Sequence, residues 1–598
     1  MRLRSPLDRV VTADVPVVDD AAVNEKRALD KEANLSTGLA GADRESNDSS
    51  DEIDTTAQAG VQRIEAFTKV WTKRDLILAY VCIWFIYFVD AMQSSMSNSL
   101  VVYVTSDFMQ HGLTATTSVL SGLIGGLSKL PLAKVLDIWG RPQGFVICLT
   151  CLVIGLIMMA ACNNVEMYAA AQVFYWVGYN GVIYTIGIFI ADTTHLKNRG
   201  LLLAFASSPY IITTWIGGPL AKAFLNGPGW RWGYGAFAII TPVVCSPLLY
   251  LFWINTRRAK ESGLLPARPQ NNRTAWESTK YYAIEFDLLG LLLIVTGLAL
   301  FLLPFNIYSR QPLGWRSPLI ISFLVIGFVL IIAFVLWEKY LAPKTFIPYD
   351  LLKDRTVLGA CILAGTLFIS FYIWDSYFFS FLQTVADLDV TPASYVMNIY
   401  SIGSCFFSFI VGFVIRYTGR FKPIALYFGI PMTILGISLM LKFRTEGVNV
   451  GYLIMCQIFI AVSGGTLVIC EQIAAMAVTT HQYIAVVLAV ESMFSSVGGA
   501  VGSTVAAALW NSIFPERLME YLPEETKGNF TEIYGSLVVQ RSFPVGTPTR
   551  TAINLAYSEA QKWMLVASTV IQVVSIVSVL VWRDVRIKDF KQVKGLVI

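Results

Sequence analysis

The 598-residue sequence predicts an all-α integral membrane protein: two pseudo-symmetric six-helix bundles plus two extra helices, fourteen transmembrane helices in all. Three observations lead there. The chain is 55% hydrophobic and only 14% charged, where soluble domains carry about 25% charged residues, and its mean hydropathy is +0.59. It contains fourteen apolar runs long enough to cross about 30 Å of hydrocarbon. It also repeats itself. Trp139-Gly140-Arg141 recurs as Thr418-Gly419-Arg420, His195 as His481, Gly217-Gly218-Pro219 as Gly498-Gly499-Ala500, and Asp90 as Asp375, with offsets all near 280 residues. Two copies of a six-helix hydrophobic unit are the pattern of carriers whose halves rock about a central site.

The elements follow in order. Residues 1–65 lack a long apolar run and are rich in Ala, Asp, Glu, Ser and Thr, which predicts a disordered cytoplasmic tail. No apolar stretch follows Met1-Arg2-Leu3-Arg4, so the first span is expected to act as its own insertion signal. The first 60 residues carry 7 basic and 13 acidic groups, so the net charge of +4 leaves +10 on the remainder. Residues 66–256 read as the N-terminal bundle, with spans near 75–95, 116–136, 144–162, 166–190, 200–224 and 234–255. A cytoplasmic linker, 257–285, precedes the extra pair and its loop, 286–355, with spans near 286–306 and 317–337. Residues 356–583 form the C-terminal bundle, with spans near 356–382, 393–415, 421–441, 451–476, 483–511 and 561–582; a long extracellular loop, 512–560, interrupts it. A basic cytoplasmic tail, 584–598, closes the chain. Alternate loops hold the cations (Lys69, Lys73 and Arg74; Arg141; Lys197 and Arg199; Arg257, Arg258 and Lys260; Arg416, Arg420 and Lys422), so both termini are expected in the cytoplasm.

All nine cysteines fall inside predicted spans, so neither a disulfide frame nor a CxxC metal site is expected, and the three histidines have no metal-ligand spacing. The sequon Asn529-Phe530-Thr531 falls in the long outer loop, where a glycan could be added. No phosphate-cradling Gly-x-x-x-x-Gly-Lys-Ser/Thr loop is present, which excludes that route to ATP, and no nucleophile–base arrangement suggests an enzyme.

A charge in the bilayer centre costs about 2.5–3.5 kcal/mol on insertion scales, so intramembrane acids need a reason. Asp90, Asp375, Glu471 and Glu491 qualify and are the candidates for proton coupling. In the first span Tyr80, Trp84, Tyr87, Asp90 and Ser94 follow one another at steps of three or four, forming one helical stripe. The ninth repeats the design with Phe368, Tyr372, Asp375 and Phe379, beside Trp374 and Tyr377. Gln172, Tyr175 and Tyr179 share a face of the fourth span. Aromatic faces and hydroxyls suit a large ligand, and nothing in this pattern implies a cofactor. The competing reading for each is ordinary helix packing. Lys129 is a candidate partner for Asp90, but a depth count opposes a simple pair: about 15 residues, roughly 22 Å, above the inner end for Asp90, against about 8 residues, roughly 12 Å, for Lys129. Asp192 and Glu471 sit at matching depths near the inner end, which suggests a gate.

Leu136-Asp137-Ile138-Trp139-Gly140-Arg141 resembles the Asp-x-x-Gly-Arg turn of the major facilitator superfamily; the superfamily's leading glycine is Ala133 here. The resemblance implies the major facilitator fold. It makes Asp137, Gly140 and Arg141, with Asp192, Arg199 and the repeat's Arg420, candidate gating residues. Gly217-Gly218-Pro219 resembles part of the Gly-Pro motif of drug/proton antiporters, but Leu220, Ala221 and Lys222 follow in place of its continuation. Four further stretches, Ala191–Gly200, Glu285–Gly290, Trp374–Tyr377 and Val545–Ile553, resemble the fungal siderophore-iron transporters of the 14-span branch, from about Gly60 to the end of the last span. That family implies proton-coupled import of ferric siderophores, hydroxamates foremost, by a monomer in the plasma membrane or in endosomal vesicles, with no nucleic-acid partner. It also implies capture of the chelate by the last outer loop, here carrying Phe543, Gly546, Arg550 and Tyr557. The alternatives are a 14-span proton antiporter exporting drugs, a toxin or glutathione, and a non-transporting nutrient receptor.

Overall fold

The computed structural model describes residues 59–107, 124–263, 274–308, 311, 313–343, 353–480, 483–535 and 537–588. Among these there is no strand. Helices run up and down between two ends, one carrying Arg141 and the other Arg550. The first bundle comprises α1 (Ala59–Val70), α2 (Lys73–Asp107), α3 (Lys129–Ile138), α4 (Arg141–Ala161), α5 (Val165–Asp192), α6 (Leu196–Ser207), α7 (Tyr210–Asn226) and α8 (Trp230–Glu261). Then come α9 (Ala275–Glu285), α10 (Leu288–Leu302) and α11 (Pro318–Leu336). The second bundle comprises α12 (Arg355–Asp375), α13 (Phe378–Thr384), α14 (Val390–Thr418), α15 (Ile430–Phe443), α16 (Val450–Ala477), α17 (Ile484–Tyr521), α18 (Pro548–Val570) and α19 (Gln572–Val581).

Local chemistry sets the helix ends. Asn164 caps α5 by accepting from Met167 N at 2.8 Å, and Asp354 caps α12 by accepting from Thr356 N at 2.7 Å. Thr274 and Glu277 form a reciprocal capping box at α9. Gly140, at φ 110°, turns the chain between α3 and α4, a conformation that L side chains rarely adopt. Close helix approach recurs with the repeat. A Cβ on Gly217 of α7 would lie 2.0 Å from Ser95 Oγ on α2, and one on Gly498 of α17 would lie 2.2 Å from Gly365 O on α12. The same small-residue contact therefore joins corresponding helices in both bundles.

Twelve helices, some combining two of these segments, are long and apolar enough to span a membrane; the pair Trp276–Glu285 and Leu288–Leu302, bent by 55°, would make a thirteenth. The expected fourteen are not reached among the described residues, because much of the second predicted span (116–136) lies outside them and α3 covers only its end. His481, the repeat mate of His195, and most of the expected N-terminal tail also lie outside them.

Three boundaries differ from expectation. Helix is already present at Ala59, the first residue described, inside the expected tail, because Ile64 and Phe67 bury against the first bundle. The linker contributes the last turn of α8 and the whole of α9. Most of the expected loop 512–560 is helical. Here α17 runs on to Tyr521, short helices follow at Glu524–Lys527, Phe530–Gly535 and Leu537–Ser542, and α18 starts at Pro548. Hydropathy missed these segments because they pack as an amphipathic cap, burying Ile533, Leu522 and Gln540.

Candidate functional site

At the Arg141 end the two bundles meet. Within the first bundle, buried Arg141 donates from Nε to Asp192 Oδ2 at 2.7 Å and from Nη1 to Asp137 Oδ1 at 3.2 Å and Leu136 O at 2.9 Å. The sequence-predicted residues Asp137, Gly140, Arg141 and Asp192 are thus one cluster. Arg199, also buried, donates to Ala191 O at 2.7 Å and reaches Met476 Sδ, on α16 of the other bundle, at 3.6 Å. Tyr184 OH bonds the carbonyl of Ala485 across the same seam. A Cβ on Gly412 of α14 would lie 2.8 Å from Leu201 Cα on α6. The repeat is asymmetric here: Arg420 is half-exposed and only approaches Asp584, at 4.0 Å.

Lys129 is not the partner of Asp90. Its Nζ donates to Ser492 Oγ of α17 at 2.8 Å, and its charged neighbour is Glu491. Glu491 in turn interacts with buried Glu471 of α16, whose Oε2 has no protein partner. Two carboxyls and one lysine from both bundles therefore share the seam. The sequence named both acids, but it could not show Lys129's partner, which lies 363 residues away.

In the middle of the first bundle Asp90 is 1% exposed, and neither carboxylate oxygen has a hydrogen-bond partner. The phenols of Tyr87, Tyr175, Tyr179 and Tyr210 lie within its electrostatic range. Its neighbour Gln93, overlooked in the sequence, is likewise buried with its amide unpartnered. Tyr179 and Tyr210 share a hydroxyl hydrogen bond of 2.6 Å, Tyr80 and Thr193 one of 2.9 Å, and Trp84 Nε1 donates to Ser208 Oγ at 2.9 Å. Tyr175 stacks on Tyr179 at 5.8 Å, and Ser94 is partly buried beside this group. Gln172 departs from expectation. It is turned into the bundle core, donating to Tyr168 OH at 2.7 Å, because the Tyr168–Tyr234 pair offers it an acceptor there.

In the second bundle Phe368 and Tyr372 keep 36% and 39% exposure, whereas Trp374 is buried, edge-on to Phe371 and Tyr400. Trp374 was expected to line the central site, but the last turn of α12 points it into the bundle core. Partly buried Asp375 has Arg444 as its charged neighbour. Arg444 is buried, donates to Trp374 O at 2.6 Å and stacks over Phe378 at 4.2 Å; its position at the end of an apolar span hid it from the sequence reading. Tyr377 has φ 60°, rare for a bulky residue, and stacks on Trp510 at 4.2 Å.

At the Arg550 end, Arg550 is buried and its guanidinium bonds Thr384 O at 2.6 Å, Phe543 O at 3.0 Å and Asp387 at 3.1 Å. Tyr557 OH donates to Gln540 Oε1 at 2.8 Å. Both residues, expected on a free capture loop, sit inside the scaffold that ties the cap to α13, because their polar groups satisfy its internal carbonyls. Gly546, at φ 89°, is exposed, Phe543 is partly exposed, and Asn529 is exposed.

Two bundles packed across a shared seam, with buried acids in the seam and inside the first bundle, fit a carrier, and the chain belongs to the major facilitator superfamily, whose model matches residues 83–503. Solved structures agree on the fold: a bacterial homologue of the iron transporter ferroportin (TM-score 0.52, 8% identity, 84% of this chain and 98% of that one) and a POT family transporter in complex with a thioalcohol-conjugated peptide (0.51, 14%, 83% and 95%). More specifically, it belongs to the fungal siderochrome iron transporter family. It is 63% identical over 551 residues to "MFS siderochrome iron transporter 1" of Ajellomyces capsulatus, covering 92% of this chain and 94% of that protein. It is 40% identical to "Siderophore iron transporter mirB" of Emericella nidulans, covering 98% and 96%. The protein is a transporter, not an enzyme.

Proposed function

We propose that this protein imports ferric siderophore chelates, hydroxamates foremost, together with protons across a fungal plasma membrane, by alternating access of fourteen spans. The observation that carries the reading is the 63% identity over 92% of the chain to a relative named as a siderochrome iron transporter. The geometry supports it. The Arg141 end, taken as cytoplasmic from its cations, is closed by contacts between bundles that a rocking motion can break. Tyr80, Trp84, Tyr87, Ser94, Tyr179, Tyr372 and Tyr377 offer aromatic faces and hydroxyls to an oxygen-rich chelate, which presents its iron already coordinated. Asp90 is a carboxyl that no protein group holds, free to take up and release a proton; Asp375, Glu471 and Glu491 are the further proton sites. Asn529 carries a glycan, and the monomer keeps both termini in the cytoplasm. One charge moved through 100 mV is worth about 2.3 kcal/mol, which sustains roughly a 50-fold gradient at about 1.4 kcal/mol per decade.

The test is uptake of radiolabelled iron, bound to a panel of siderophores, by yeast lacking its own siderophore carriers, with and without a protonophore. Saturable uptake of one chelate, abolished by the protonophore, is the expected result. No uptake despite confirmed surface expression would favour export or glutathione exchange instead.

A further inference from the structure

The helix pair α10–α11 and the segment Glu285–Gly290 that opens it take no part in the path just described, yet they are built onto it. Asp287, at φ 46°, caps α10 by accepting from Gly290 N at 3.3 Å and accepts the Trp337 indole N–H at 2.8 Å, stapling the two helices together. A side chain at Gly290 would place Cβ 1.9 Å from Asp287 Oδ2, which accounts for the glycine. Just before this staple, Phe286 and Tyr282 meet Trp139 edge-on at 5.5 and 6.1 Å. Trp139 leads into the Gly140 turn, and its carbonyl accepts from Arg63 of α1 at 2.7 Å. Buried Lys134 of α3 interacts electrostatically with Asp137 of the turn and with Glu285, Asp287 and Glu338 of the pair.

The opposite end of the pair is attached to the other bundle. Pro304–Ile307 packs on α17. Tyr308, stacked on Trp315 at 4.4 Å, lies within electrostatic range of Tyr377 at the α12–α13 kink and Tyr534 in the cap.

We propose that α10–α11 is a strut that spans the two bundles and holds the Arg141 end closed: its foot grips the Trp139–Gly140 turn and Lys134, and its head rests on α17 and the cap. Separating the bundles at the Arg141 end strains one attachment or the other, so the strut favours the closed state. Through Tyr308 it also gives the cap a mechanical route to the gate. The inference uses only the rocking of two bundles, part of the function proposed above, and not the identity of the cargo.

The experiment is the labelling rate of a single cysteine, Met476→Cys, in the closed seam beside Arg199, with the native cysteines replaced and a membrane-permeant maleimide as probe. It is applied to the full chain in membranes. Trp337→Phe keeps an aromatic ring, though a smaller one, and removes the bond to Asp287; Tyr282→Ala removes a grip on Trp139. Each is expected to raise the rate by about threefold or more, as the closed state loses population. Glu338→Gln is expected to act in the same direction. Trp276→Ala, on an outward residue of α9 that is 76% exposed, leaves the rate unchanged. Unchanged rates in Trp337→Phe and Tyr282→Ala, at equal amounts of monodisperse protein, overturn the proposal, as does an equal rise in Trp276→Ala. Labelling needs no substrate, so failure of the siderophore reading would appear in uptake alone and failure of the strut in labelling alone.

Discussion

At the residue scale, the Arg141 cluster shows what a buried charge demands. Its guanidinium is fully enclosed, and Asp192 and Asp137 supply the counter-charge. Removing one partner of a buried pair costs about 3–5 kcal/mol because it strands the other charge. Asp192→Asn is therefore expected to lower the melting temperature of the detergent-solubilised protein markedly and to cut uptake at least tenfold; a variant that melts and transports like the parent would show that the cluster is dispensable. Asp90 presents the opposite case. No protein group donates to either of its oxygens, so Asp90→Asn removes a charge that nothing compensates. Its melting temperature should hold or rise, while uptake loses its dependence on the proton gradient. Together the two variants test whether one carboxylate builds the fold while the other carries the proposed proton.

At the element scale, the repeat gives a comparison inside one molecule. Gly217 and Gly498 occupy matching places, but their obstacles differ. At Gly217 the nearest atom is the Ser95 hydroxyl, and at Gly498 it is the backbone carbonyl of Gly365. The Ser95 hydroxyl can rotate away, but its Cβ, 2.5 Å from the added carbon, cannot, and nor can a carbonyl bonded into a helix. Gly217→Ala and Gly498→Ala should therefore both destabilise in thermal melts. Gly218→Ala, with nothing within 4 Å of the added Cβ, should be neutral or gain up to about 1 kcal/mol from helix propensity. These contacts were legible in outline, because small residues at repeated positions announce close packing. The spans were legible for the same reason: hydropathy reports lipid-facing surface, as in α11, where only 11% of the apolar window is buried. The cap was not legible, since its helices bury one face on protein and keep the other polar, and composition alone reads such a segment as loop. Nor was the packing of Trp374 and Gln172, because a three-to-four spacing shows which residues share a face without showing what that face meets.

At the scale of the whole molecule, the closed seam is a choice between states. Gly412 of α14 lies against the backbone of Leu201 on α6: an added Cβ would sit 2.8 Å from Leu201 Cα and 2.9 Å from its N. Neither obstacle can move without moving its helix, and the two helices belong to different bundles. A β-branched side chain at 412 therefore has no place while the Arg141 end is closed, yet it fits once the bundles part. Gly412→Val should fold normally but shift the population toward the state open at that end. A shift from mostly closed to mostly open requires about 5.5 kcal/mol, the scale for moving 1:99 to 99:1; a clash with fixed backbone on one side can supply a substantial share of that. Uptake should fall by tenfold or more, because chelate arriving at the Arg550 end finds few molecules open to it. The maleimide rate at Met476→Cys should rise in the same protein. A fall in uptake with no rise in labelling would mean that valine merely distorts α14, and the seam would then not be the gate.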